Sequence, residues 1–79
     1  MKYWNKSLEV RRRCWIRVEL PPPPTITYFQ WDGLIQEQKR WCQHYPSTGR
    51  FWFDSHYIEV STWWFERPAD ATAFVLRWR

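Results

Sequence analysis

Residues 61–68 read STWWFERP, two tryptophans and a phenylalanine ahead of a charged turn. The placement of Trp63 and Trp64 decides how the chain packs, because adjacent side chains of a β-strand leave opposite faces of the sheet. A one-sided core admits one of the pair and leaves the other to solvent, a second layer or a partner. Reading Tyr57–Glu66 as one strand puts Ile58, Val60 and Trp64 on the core parity. Tyr57, Glu59, Ser61, Trp63 and Phe65 then point outward.

The same parity argument extends to both sides of this strand. Upstream, Arg50–Asp54 reads as a strand with Phe51 and Phe53 inward and Trp52 outward, paired with Tyr57–Glu66 as a hairpin around Asp54-Ser55-His56. Downstream, Pro68 opens a short helical piece, Ala69–Ala73, with Asp70 near the positive end of its dipole. Phe74–Trp78 then reads as a closing strand, with Phe74, Leu76 and Trp78 inward and Val75, Arg77 and Arg79 outward.

Residues 8–20 alternate as a half-buried strand. Leu8, Val10, Cys14, Ile16, Val18 and Leu20 share one parity, with Arg12 the exception, and Arg11, Arg13, Trp15 and Arg17 take the other. Residues 2–6 either extend this strand or pair as a separate short one. Pro21–Pro24 stop the sheet, since they donate no ladder hydrogen bonds, and serve as a rigid connector. A helix follows, opened by the capping box Thr27/Gln30 and carrying Trp31, Leu34, Ile35, Trp41, Cys42 and Tyr45 as a stripe interrupted at Gln38. Gly33 is read as a point of close approach to the sheet, and Pro46 as the stop before the Ser47-Thr48-Gly49 turn.

The order strand, helix, strand, strand, short helix, strand is the split βαβ or ferredoxin-like pattern. The expectation is one α+β domain over residues 1–79, an antiparallel sheet of order 4-1-3-2 with helices on one face and the other open. A meander capped by one helix is the alternative. At 79 residues the chain hides only about 60–65% of the surface its unfolded form exposes, so a large enclosed active site is not expected. Eight Trp, four Tyr and five Phe exceed what so small a core holds, and some must lie at the surface.

The outer parities collect Arg11, Arg13, Trp15, Arg17, Trp52, Tyr57, Trp63, Phe65, Arg77 and Arg79 into one aromatic and basic face. Trp, Tyr and Arg are the favoured anchors of protein interfaces, and rings interleaved with guanidinium groups also suit single-stranded nucleic acid. The glycine-containing aromatic motif of RNA recognition modules is absent from Tyr57–Glu66. Self-association, or cover by residues 1–6, is the structural use of the same face. The net charge of +4 favours acidic or phosphate-bearing partners.

Catalysis finds no support: His44 and His56 stand apart from any nucleophile. Cys42-Gln43-His44 lacks a second ligand pair for zinc, and Asp54 with His56 reads as a solvated turn. The expectation is a chain that is not an enzyme and takes no metal or cofactor. Its two cysteines, Cys14 and Cys42, read as buried thiols in a reducing compartment. No apolar run is long enough to cross a bilayer, so no membrane partner is expected and an intracellular setting is.

The run Trp63–Trp78, WWFERPADATAFVLRW, resembles a pattern found in short bacteriophage-encoded proteins of unknown role: an aromatic strand, Asp-Ala in a turn, then Phe-x-Leu-[Arg/Lys]-Trp. The matching positions are Phe65, Asp70, Ala71, Phe74, Leu76, Arg77 and Trp78, and the upstream RFWFDSHYIEV is similar to the preceding strand pair. The resemblance covers about residues 50–79. It implies a phage origin and the cytoplasm of an infected bacterial host. Small phage proteins of this kind bind and divert a host or antiviral-defence protein, bind nucleic acid, or join the virion.

Overall fold

A computed structural model describes residues 1–4, 15–55 and 60–79. It shows an α+β fold in which one mixed four-stranded sheet carries two helices. In chain order the elements are β1 (Lys2–Tyr3), β2 (Ile16–Leu20), α1 (Tyr28–His44), β3 (Arg50–Ser55), β4 (Ser61–Phe65) and α2 (Pro68–Trp78). The strands lie in the order β1-β3-β4-β2. β4 is antiparallel to both β2 and β3, whereas β1 runs parallel to β3.

Helix α1 begins where its capping box places it. The Thr27 Oγ1 accepts from the Gln30 amide at 3.3 Å, and the Gln30 Oε1 accepts from the Thr27 amide at 3.0 Å. Its buried positions, Trp31, Ile35, Gln38 and Cys42, recur every three to four residues, as an amphipathic helix requires. At its C-terminal end the Met1 ammonium donates to the carbonyls of Cys42 at 2.8 Å and Tyr45 at 2.7 Å. A cation there satisfies orphan carbonyls and opposes the negative end of the helix dipole. Gly33 is not a point of close approach, since a Cβ there would meet nothing within 4 Å.

Both helices cover one face of the sheet, α1 toward β1 and α2 over β2 and β4. The core between them holds Val18, Leu20, Phe51, Trp63, Phe65, Phe74 and Cys42. Phe74 is its hinge point, with ring centroids 4.9 Å from Trp63, 5.0 Å from Phe65 and 5.9 Å from Trp41. The turn before β3 docks on α2: Ser47 Oγ donates to the buried Asp70 at 2.8 Å. Gly49 is required there, because a Cβ would lie 2.5 Å from Asp70 Oδ2.

The expected antiparallel sheet of order 4-1-3-2 is replaced by a mixed one, because the two-residue β1 pairs parallel to β3, and two further expectations are corrected. Phe74–Trp78 is not a strand but the second half of α2, so the fourth strand comes from the N-terminus, at the opposite edge of the sheet. Strand parity and helix periodicity both bury Phe74 and Trp78. Leu76 separates them, and it is 80% exposed. Pro68 at the first helical position and the alanines at 69, 71 and 73 favour propagation of a helix once started.

The second correction concerns the tryptophan pair. Trp63 is fully buried under the helices, opposite Val18 and Phe53, and Phe65 is buried beside it. Trp64 takes the other face. β4 begins only at Ser61, and Val60 lies outside it, so parity counted from Ile58 and Val60 does not carry into the strand. A shift of one residue exchanges every side chain between faces.

Candidate interaction surface

The face opposite the helices is built by the alternate residues of three strands. One row across the sheet is Arg17, Trp64 and Trp52, and the next is Glu19, Thr62 and Asp54. Trp15, just before β2, and Trp4, just after β1, complete the patch. Trp15 and Trp64 are each 9% exposed, with the half-buried Trp4 and Trp52 packed against them. The rings of Trp52 and Trp64 lie 4.6 Å apart at 34°.

Arg50 organises the patch. Its guanidinium carbon stands 4.5 Å from the centroid of the Trp4 ring and 5.3 Å from that of Trp15. Each such cation–π contact contributes about 0.5–2 kcal/mol, more as it is desolvated. The Arg50 Nε also donates to Glu66 Oε2 at 3.0 Å, and its terminal nitrogen reaches the same oxygen. That hydrogen bond, opposed by burial and helped by the charges of Arg50 and Arg67, holds the Glu66 carboxyl below its ordinary 4.5. Arg17 is likewise paired with Glu19 at the solvent-exposed side of the sheet.

Of the residues expected on this face, Trp15, Arg17 and Trp52 are brought together there. Trp63 and Phe65 are not, being core residues. Arg77 and Arg79 are also displaced: both belong to the end of α2, where the Arg77 guanidinium lies 4.1 Å over the Trp78 ring. Arg11, Arg13 and Tyr57 lie outside the described residues, as do Cys14 and His56. Three residues escaped the sequence reading. Trp64 was assigned to the core, Trp4 fell in a stretch left open, and Arg50 shares the parity of Trp52 and was readable from it.

His44 Nδ1 is engaged with the Arg40 carbonyl at 2.8 Å, and Cys42 is wholly buried, its thiol pushed up to about 12 chiefly by that burial. Among the described residues no group of three or more His, Cys, Asp or Glu is placed to hold a metal ion. No helix among them is long and apolar enough to cross a membrane. Comparison of the chain with protein-family models, curated proteins and solved structures gives no match.

Proposed function

We propose that the chain is a small non-enzymatic binding protein of phage type. In this reading it inhibits or redirects a host or antiviral-defence protein in the cytoplasm of an infected bacterium. Its partner docks on the half-buried Trp4 and Trp52 of this sheet face, which Trp15 and Trp64 support from beneath. The observation that carries the reading is the cluster itself: two half-buried tryptophans, Trp4 and Trp52, around the buried Trp15 and Trp64, with Arg50 over the Trp4 and Trp15 rings, on the sheet face opposite the main core. The half-buried Trp4 and Trp52 supply anchors of the type that dominate protein interfaces. A resemblance to short phage proteins in residues 50–79 supports the setting. β2, α1 and β3, with β4 inserted between the two strands, keep the split βαβ connection, so we read the module as a ferredoxin-like variant whose last strand has become a helix.

Charge favours a protein over nucleic acid. On the described part of the face Lys2, Arg17 and Arg50 stand against Glu19, Asp54 and Glu66, and Arg17 and Arg50 are each paired with a carboxylate. Phosphate recognition draws on cations that gain by releasing counterions, and paired guanidinium groups have less to gain. Affinity capture from infected cells, with and without nuclease, tests the assignment. A nuclease-resistant protein that is retained by the native chain and lost with Trp52→Ala plus Arg17→Glu supports it. Recovery of nuclease-sensitive material alone points to single-stranded nucleic acid. A concentration-dependent rise in size by light scattering with no captured partner points to self-association or a virion role.

A further inference from the structure

β1 and β2 are the edges of the sheet, and β2 is the longer, five residues against two. Which of its residues address the outside follows from the ladder. The Glu66 amide donates to the Arg50 carbonyl at 3.0 Å, and hydrogen-bonded and open pairs alternate along an antiparallel ladder. Trp64 and Thr62 therefore turn their amide groups toward β3, while Phe65, Trp63 and Ser61 turn theirs toward Ile16, Val18 and Leu20. Arg17 and Glu19 stand between these and turn N–H and C=O to the outer edge, where no strand among the described residues pairs with them.

An edge of this kind is a template for another strand, and is commonly blunted by an inward-pointing charge, a bulge or a proline. Within β2 none of these occurs: its register with β4 is unbroken, and Ile16, Val18 and Leu20 all pack toward the helices. The strand reads Ile-Arg-Val-Glu-Leu, which is chemically self-complementary about Val18. Turned antiparallel on a second copy, Ile16 meets Leu20, Arg17 meets Glu19 and Val18 meets itself. We propose that two chains join β2 to β2 in this register as a two-fold homodimer, with one sheet continuous through both. Arg17 and Glu19 of the second copy exchange both amide hydrogen bonds, and Val18 lies on the axis as the open pair. Each Arg17 guanidinium, already paired with Glu19 of its own chain, gains the opposite charge of the second copy across the ladder. Pro21, the next residue to face the edge, has no N–H and ends the pairing.

The helical layer accommodates the same axis. α2 lies over both β2 and β4, so its axis falls about half a strand spacing inside β2, and two copies set their α2 helices about 10 Å apart, close to packing distance. The groove of about 410 Å³ beside β2, walled by Ile16, Val18, Ala71 and Val75, is closed by the neighbouring chain. Both tryptophan faces end on one side of the joined sheet, so dimerisation does not compete with the partner proposed for that face.

Sedimentation equilibrium of the full chain over a concentration series tests the dimer. A rise from the mass of one chain to that of two is expected, with Kd of about 10 µM or tighter. Arg17→Glu sets carboxylates opposite one another in both pairs, and Glu19→Arg does the same with guanidinium groups. Each weakens association about tenfold or more, and since both side chains are exposed, each variant keeps the native circular dichroism. Mixed in equal amounts, the two variants regain association of native strength, because every pair is again of opposite charge; misfolding would give no such rescue. Trp52→Ala leaves the dimer unchanged. The mass of one chain at every concentration overturns the proposal, as does association that survives both charge reversals or is not regained on mixing. Loss with Trp52→Ala alone overturns it too, and moves self-association to the tryptophan face.

Discussion

Trp63 and Trp64 are chemically identical neighbours, buried on opposite faces of the sheet, and substitution separates Trp63 from the half-buried Trp52. Trp63 stacks on Phe53 at 4.6 Å and touches Phe74 at 4.9 Å, so Trp63→Ala opens a cavity in the main core. The expected loss is about 3–5 kcal/mol, a large part of the stability of so small a domain. Trp52→Ala, at a half-buried position, costs less than half as much. Urea titrations followed by far-UV circular dichroism compare them, and equal losses would mean that the sheet is packed alike on both sides. The sequence makes it legible, through the period of two, that the pair leaves opposite faces of the sheet, but not which of the two enters the main core, because that depends on where β4 starts; that both are buried was not legible.

Cys42 offers a second test at this scale. Its thiol is raised from 9.0 to about 12, first by burial, with the Met1 ammonium opposing and the Asp70 carboxylate adding. A raised value means that the folded state favours the protonated form, so the contribution to stability is complete below pH 9.0 and is lost as pH rises toward 12. In a Cys14→Ser background, iodoacetamide at pH 8 therefore labels Cys42 only when the chain unfolds. The urea midpoint falls between pH 9 and 12, more steeply than in the same chain with Cys42→Ala. Rapid labelling of the native protein would show that the thiol is not enclosed.

At the scale of elements, α1 was legible because several signals agree: the capping box, the apolar spacing and Pro46 just beyond the C-cap. α2 was half legible. Its start is marked by Pro68 and Asp70, but its length is not, since an aromatic pair four residues apart, Phe74 and Trp78, satisfies both a strand and a helix. The buried series Asp70, Ala71 and Phe74 settles the period at the helical one. Gly33 illustrates the opposite error, a residue given a packing reason it does not have. With open space around its Cβ position, Gly33→Ala only removes backbone freedom from the unfolded chain and improves helix propensity. A gain of about 0.5–1 kcal/mol is expected in the urea midpoint, and a loss would show an unseen constraint on that turn of α1.

Over the whole molecule, the first four residues touch both faces of the sheet. Met1 is buried in the main core and its ammonium closes the end of α1. Tyr3 packs at 5.4 Å on Phe51 and beneath the Lys39 ammonium of α1, and Trp4 crosses to the other face to flank Arg50. This linkage was not legible, because a two-residue parallel strand leaves no periodic trace and the docking of an ammonium leaves no motif. Its consequence is that the helical layer and the tryptophan patch are coupled through β1. Deleting residues 1–4 should lower Tm by more than about 10 °C, the equivalent of roughly 2 kcal/mol in a domain of this size. Hydrogen exchange should speed up both in the last turn of α1 and in the strands bearing Trp52 and Trp64. Trp4→Ala alone should affect only the second group, since it leaves Met1 and Tyr3 in place. If the deletion leaves exchange at the end of α1 unchanged, β1 is an edge ornament of the sheet and the two layers are stabilised independently.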